Sequence, residues 1–288
     1  MADRKKRLSL NVPGEFFVDS TCIDCDTCRQ LAPSTFEDSG EFSFVYAQPE
    51  CEKDRRSAMH ALLSCPTGSI GVTGHNDAGS VVTDFPLALE DEIYYCGFNS
   101  PKSYGGNSYF LTHKEGNWLI DSPKFLPHLI KRFEQMGGIA YLFLTHRDDV
   151  AEAHKYAQHF GCKRIIHRED LDAQPDAEVI IEGTEVVSFL SDFKIIPTPG
   201  HTRGHCVLLY KDRYLFSGDH LWFSRERQRL AAGKSVCWYS WTEQTKSMEK
   251  LTNFQFEWVL TGHGQRIKLP ADEMHRQLVD LVATMQLS

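Results

Sequence analysis

Leu142-Phe143-Leu144-Thr145-His146-Arg147-Asp148-Asp149-Val150-Ala151 begins as an apolar strand run and ends in a knot of ionisable side chains. Layered α/β folds present their ligands at strand ends, so this change from apolar to charged marks an expected functional site at His146. Downstream, the same signature recurs three times. Thr198-Pro199-Gly200-His201-Thr202, Phe216-Ser217-Gly218-Asp219 and Leu260-Thr261-Gly262-His263-Gly264 each follow an apolar strand or sit in the loop between two. Upstream, Asn107 and Leu119-Ile120-Asp121 punctuate the chain in the same way. Any one of these is an ordinary turn; their serial order carries the information.

Around these points, short apolar runs alternate with helical patterns. Strands are expected at 93–98, 108–112, 118–120, 139–144, 179–181, 185–190, 194–197, 206–210, 214–216 and 258–260. Helices are expected over 127–135, near 242–252 and from Pro270 onward. Strands interleaved with helices imply sheets covered by helices. The polar stretch Thr73-Gly74-His75-Asn76-Asp77-Ala78-Gly79-Ser80 reads as a linker between this region and a smaller N-terminal unit dense in Cys, Asp and Glu.

The ordered motifs after Val82 resemble the metallo-β-lactamase fold. The fold class expected is α+β: a small ferredoxin-like α/β domain over 1–74, then a metallo-β-lactamase αββα sandwich over 82–288. The family's first metal motif is H-x-H-x-D-H, and this chain departs from it. His146 survives, Asp148 replaces the second histidine, and Val150 and Ala151 stand where the aspartate and histidine of the second metal belong. The resemblance carries metal roles to His201, Asp219 and His263, the last serving the second metal. One divalent ion (iron, zinc or manganese) then has His146, Asp148, His201 and Asp219 as ligands, a mixed nitrogen and oxygen set suited to those ions. Alternatively Asp149 turns inward and His154, one helical turn past Ala151, replaces the lost histidine. A third reading is a metal-free pocket whose His and Asp residues hydrogen-bond one another.

Thr21-Cys22-Ile23-Asp24-Cys25-Asp26-Thr27-Cys28 supplies C-x2-C-x2-C, and Ser64-Cys65-Pro66-Thr67-Gly68 supplies a distant fourth cysteine followed by proline. This is the bacterial ferredoxin pattern, in which thiolates hold the corners of an iron-sulfur cube. Ala32-Pro33, Phe36, a strand over 42–46 and a helix over 55–63 extend the resemblance to single-cluster ferredoxins. It implies one 4Fe-4S cluster on Cys22, Cys25, Cys28 and Cys65. A structural zinc is the alternative, though zinc usually takes its cysteines as two separated pairs. Cys51 lies outside the motif and reads as a free surface thiol.

Of nine cysteines, the five outside the motif are scattered, which suits a reducing cytoplasmic setting. The net charge of -8, with no basic run beyond Arg4-Lys5-Lys6-Arg7, excludes the footprint of a nucleic-acid binder. Neither a secretory peptide nor a membrane span is expected. A redox protein or a small-molecule substrate is the expected partner. His167 and His205 read as ordinary hydrogen-bonded histidines near the cleft. The aromatic run Lys234-Ser235-Val236-Cys237-Trp238-Tyr239-Ser240-Trp241 reads either as cleft lining or as a packed lid. Two functions stay open. One is a metal-dependent hydrolase or oxidoreductase with electrons handled by the cluster; the other is a non-enzymatic electron-transfer or sensing module that has lost its metals.

Overall fold

The computed structural model describes residues 2–74 and 77–287. The N-terminal unit contains β1 (Phe16–Val18), α1 (Thr27–Leu31), β2 (Phe36–Asp38), β3 (Ser43–Val45), α2 (Glu52–Ser64), β4 (Ile70–Val72) and the single turn α3 (Ala78–Val81). β1 pairs antiparallel with β4, and β2 with β3. Their inward faces make a small core of Phe16, Val18, Phe36, Val45, Ala58, Met59 and Ile70. Of the stretch read as a linker, His75 and Asn76 fall outside the described residues. The remainder is partly structured, because the apolar Val81 that ends α3 is buried in this same core.

Two sheets follow. The first orders seven strands as β11-β10-β9-β8-β7-β6-β5. They are β5 (Leu87–Glu90), β6 (Ile93–Tyr95), β7 (Tyr109–Leu111), β8 (Trp118–Ile120), β9 (Tyr141–Phe143), β10 (Lys163–His167) and β11 (Val179–Ile181). Helices α4 (Pro127–Gln135) and α5 (Ala153–Phe160) belong to its parallel crossovers. α4 starts on a proline at its first position, where the missing N–H costs nothing, and buries Leu129, Ile130 and Phe133 on one face. The second sheet holds β12 (Val187–Phe189), β13 (Phe193–Pro197), β14 (Cys206–Tyr210) and β15 (Tyr214–Gly218). A separate hairpin, β16 (Trp222–Ser224) with β17 (Arg229–Ala231), and α6 (Trp241–Leu251) precede its last strands, β18 (Trp258–Thr261) and β19 (Ile267–Lys268). α7 (Ala271–Gln286) closes the chain.

Strand periodicity explains the layering. In β14 every residue is buried, yet Cys206, Leu208 and Tyr210 join the core between the sheets while Val207 and Leu209 join the core under α6 and α7. β15 divides likewise, with Tyr214 and Phe216 on one side and Leu215 on the other. A sheet buried on both faces must be covered on both, and α7 supplies Met274, Leu278, Val282 and Met285 to the outer layer. α6 is started by Ser240, whose hydroxyl caps the Glu243 N–H. The result is the αββα sandwich expected from sequence. No helix among the described residues is long and apolar enough to cross a membrane.

Candidate functional site

The four motif cysteines converge in the small domain, Cys28 buried and the other three partly so. Main-chain N–H groups already point at their sulfurs, Ser69 N at 3.3 Å from Cys65 Sγ and Asp24 N at 3.5 Å from Cys22 Sγ. Burial pushes the Cys25 thiol up to about 11 against hydrogen bonds from Thr27, and Cys28 also rises well above an ordinary thiol. Buried, mutually repelling thiols with donors aimed at them suit a cationic metal cluster that would take them as thiolates. Asp24 and Asp26, both left-handed residues of the ligand loop, are held by Arg29 at 2.6 Å each.

The second cluster is assembled from loops that follow four strands. His146 lies past β9, His201 past β13, Asp219 at the end of β15 and His263 past β18. His146 Nε2 lies 3.6 Å from Asp219 Oδ2 and 3.9 Å from Asp148 Oδ2; His201 Nε2 lies 3.7 Å from each of the same two oxygens. A tetrahedral ion with bonds near 2.1 Å would set its ligands about 3.4 Å apart. Each histidine nitrogen is therefore spaced from both carboxylates as ligands of one ion would be, and two triads that share His146, namely His146–Asp148–His201 and His146–Asp149–Asp219, are each close enough to hold an ion. Both Nε2 atoms are buried without a hydrogen-bond partner, an arrangement that costs free energy unless a cation or water fills the centre.

The supporting shell fixes these ligands. Asp121 accepts the Thr145 N–H at 2.9 Å and the Thr145 hydroxyl, and that hydroxyl meets His146 Nδ1 at 3.0 Å, leaving Nε2 turned toward the centre. Burial raises the Asp121 carboxyl to about 8 in spite of these donors. Burial holds His146 at about 4, so it is neutral and ligand-ready at neutral pH. Asp170, buried on the short helical turn after β10, accepts from Arg147 N at 3.1 Å, Thr202 Oγ1 at 2.5 Å and Gly204 N at 3.2 Å. One carboxylate thus ties the His146–Asp149 loop to the His201 loop.

The structure separates the remaining candidates. Asp149 does turn inward: it is fully buried, neither oxygen has a hydrogen-bond partner, and burial together with Asp219 raises its pKa well above the carboxylate range. Room for it exists because Gly262 has no side chain; a Cβ there would stand 2.9 Å from Asp149 Oδ2 and 2.7 Å from Asp219 Oδ1. His154 does not reach the site. It lies on the solvent face of α5 and is exposed, because Ala153 and Tyr156 take the buried positions of that helix. His263 is committed to other partners, with Nδ1 2.7 Å from Asp219 and Nε2 3.1 Å from the Ser103 carbonyl. Burial opposes its charge, but Asp219 overrides that and raises it to about 10; His263 in turn holds Asp219 below the usual carboxylate range against burial. Val150 and Ala151 carry aliphatic side chains with no ligand atom.

His167 is hydrogen-bonded to the Gly183 carbonyl, and His205 is buried behind His146 with Nδ1 on Thr198. Cys51 is exposed. The site opens into a cleft of about 1370 Å³ lined by Lys102, Tyr104, Arg203, Trp238 and Tyr239 beside the ligands. The 234–240 loop is thus a cleft wall, pinned by Trp238 and Tyr239 N–H groups donating to the His201 carbonyl. Asp24, Cys25 and Asp26 line the same cleft, so the cysteine loop forms its opposite wall. Asp170 and the cysteine wall escaped sequence reading, since no motif marks either role. Gly204, whose Cβ would collide with Asp170, was the one available hint.

Comparison with known proteins places these regions. Residues 18–72 match the model of the 4Fe-4S single cluster domain of Ferredoxin I, and residues 103–263 match that of the metallo-beta-lactamase superfamily. A hydroxyacylglutathione hydrolase of Citrobacter koseri is 26% identical over 194 residues, 62% of this chain and 75% of that protein. The hydroxyacylglutathione hydrolase of Salmonella arizonae is 29% identical over 134 residues, 46% and 53% of the two chains. That of Rhizobium etli is 32% identical over 106 residues, 35% and 41%. The chain thus spans three quarters of the first of these relatives and about half or less of the other two. Among solved structures, the B3 metallo-beta-lactamase BLEG-1 aligns with a TM-score of 0.52 at 18% identity, covering 67% of this chain and 99% of that one. A metallo-beta-lactamase from Pontibacter korlensis aligns with a TM-score of 0.52 at 13% identity, covering 70% and 98%. At these identities the likeness speaks for the fold alone.

Proposed function

Because the chain belongs to the metallo-beta-lactamase superfamily, we propose that it is a metal-dependent hydrolase with a single divalent ion on His146, Asp148, His201 and Asp219, beside a 4Fe-4S cluster on Cys22, Cys25, Cys28 and Cys65. The observation that carries the reading is that two buried, unpartnered histidine nitrogens each lie 3.6–3.9 Å from the Asp148 and Asp219 carboxylates. The relatives named hydroxyacylglutathione hydrolases support hydrolysis as the reaction class and an ester or thioester as the substrate type.

A divalent ion held there supplies an acidified water and an electrophile for a carbonyl oxygen. The chain's own residues do the rest. Asp121 and Thr145 orient His146, and Asp170 keeps the two ligand loops in register. Asp149, buried with neither oxygen hydrogen-bonded, is placed beside the reacting centre to exchange a proton with a leaving group. Arg203, stacked 5.0 Å over the Tyr239 ring, offers the cleft a positive charge for an anionic substrate. A redox reading has one observation of its own, Cys25 in the wall of the same cleft.

The test is thioester hydrolysis by anaerobically purified protein supplied in turn with zinc, manganese and iron(II). Turnover with any of them that disappears in Asp148→Ala is the expected result. A chain that binds no second-site metal and hydrolyses nothing contradicts it.

A further inference from the structure

Two aromatic rings stand in water beside the His/Asp site. Trp238 is 67% exposed and Tyr104 60%, although each touches a histidine that meets Asp219. The ring centroids lie 6.2 Å apart for Trp238 and His201 and 6.3 Å apart for Tyr104 and His263. Of the nine large hydrophobic side chains exposed among the described residues, four (Tyr104, Val236, Trp238 and Tyr239) line this one cleft. Single exposed hydrophobics need no explanation, but a group of them rimming a cleft marks a binding surface.

Neither ring owes its place to packing. Tyr104 lies at φ +50°, at the end of a short helical turn where glycine or asparagine is the usual residue, and its exposed ring gains little burial to offset that strain. The backbone has no room to relax, because a Cβ on the next residue, Gly105, would stand 2.8 Å from Cys25 Cβ. Trp238 is fixed from behind. Its N–H and that of Tyr239 donate to the His201 carbonyl at 3.0 and 3.1 Å, and Ser240 N–H donates to the Gly200 carbonyl at 3.0 Å. Charge in the cleft is as selective. Lys102 is paired with Glu152 at 2.7 Å and Arg147 with Asp172 at 2.6 Å, while Asp24 and Asp26 on the opposite wall are taken by Arg29. Arg203, stacked on Tyr239, is the cleft cation with no carboxylate partner among the described residues.

We propose that the cleft takes a thioester whose acyl part is a planar aromatic group and whose thiol part carries a carboxylate, the aromatic group lying between Trp238 and Tyr104 and the carboxylate on Arg203. The inference rests on the hydrolase reading above and names its substrate class. Both rings adjoin the site histidines, so the aromatic group is the one next to the scissile carbonyl; Arg203, further along the wall, takes the thiol part. Hydrolysis breaks the carbon–sulfur bond and forms a carbon–oxygen bond from water, giving the arylcarboxylate, the thiol and one proton.

The experiment uses the metal-loaded full chain and thioethers that hydrolysis cannot cleave. Calorimetry compares the naphthylmethyl thioether of mercaptopropionate, its methyl counterpart and the naphthylmethyl thioether of mercaptopropanol. The first is expected to bind about tenfold more tightly than the second, from the buried and stacked ring, and about two- to fivefold more tightly than the third, the range of an exposed ion pair. Trp238→Ala should remove the preference for the ring and Arg203→Gln the preference for the carboxylate. Tyr104→Gly should weaken the naphthyl ligand without lowering the melting temperature, since glycine suits φ +50°; a merely structural tyrosine would not give that split. Relative to their uncatalysed rates, the naphthoyl thioester of mercaptopropionate should show a kcat/KM about tenfold above that of the acetyl thioester. Equal affinity for the naphthyl and methyl ligands, or unchanged naphthyl binding in both Trp238→Ala and Tyr104→Gly, overturns the proposal. Equal relative kcat/KM for the two thioesters overturns it and leaves hydrolysis standing. No turnover of either thioester with zinc, manganese or iron(II) sinks the hydrolase reading and the substrate class together.

Discussion

The cysteine site and the His/Asp site face one cleft, yet they prepare for a cation in opposite ways. The cysteines come from one small domain, three of them from a single loop, and burial holds Cys22, Cys25 and Cys28 as protonated thiols. Binding there must expel protons, and the small core around it depends on what is bound. The His/Asp ligands come from three loops braced by two sheets, and His146 is already neutral there. Asp121, Thr145 and Asp170 hold the loops of that site in place. The lesson is that the first site couples metal to folding, whereas the second couples metal to chemistry.

The comparison breaks most visibly at Cys65. Cys65→Ser is expected to lower iron from about four per chain to near none, and to loosen the 2–74 region, with the large domain still folded. Iron assay and limited proteolysis read both effects. Retention of a compact small domain without iron would erase the contrast. Next comes Asp170→Asn, which weakens the tie between the two ligand loops. Metal affinity at the His/Asp site should fall about 10- to 100-fold while cluster iron is unchanged, as measured by metal titration.

The pH dependence separates the sites further. Burial lowers His146 from 6.5 to about 4 and His220 from 6.5 to about 3. Each of these two histidines binds more protons unfolded than folded between those values. Its own contribution to stability is therefore fully present above about pH 6.5 and falls by about 1.4 kcal/mol per pH unit as pH drops toward 4, while the raised carboxyls of Asp121 and Asp149 contribute the opposite slope. Urea midpoints of metal-free protein between about pH 7 and 5 check this, and His220→Phe should flatten the slope. A slope that does not change in that variant contradicts the assignment. The smallest effect is at Arg147, whose side chain pairs with exposed Asp172 while its backbone N–H is held by buried Asp170. Asp172→Asn should shift the melting transition by less than about 1 kcal/mol.

Sequence reading worked where chemistry demanded a residue type at fixed spacing. Three cysteines at one pitch and a serial set of strand-end His and Asp residues left few alternatives, and apolar runs such as 206–210 and 214–216 set among helical patterns announced sheets covered by helices. It was weaker where identity is set by packing. Whether Asp149 or His154 would turn inward depended on which face of α5 meets the core, and Ala153 with Tyr156 decided that against His154. The roles of Asp170 and of the Cys25 wall arise from loops remote in sequence, 23 residues from Arg147 in the first case. The short hairpin β16–β17 was also not legible, its strands being only three residues each.

The most direct test of two cation sites on one cleft is elemental analysis of anaerobically purified protein. Wild type is compared with a His201→Ala, Asp219→Ala double variant. About four irons per chain are expected in both proteins, with one further divalent metal in the wild type alone. About four irons in both proteins and no further metal in either would contradict it, leaving a cluster protein whose second domain holds no ion.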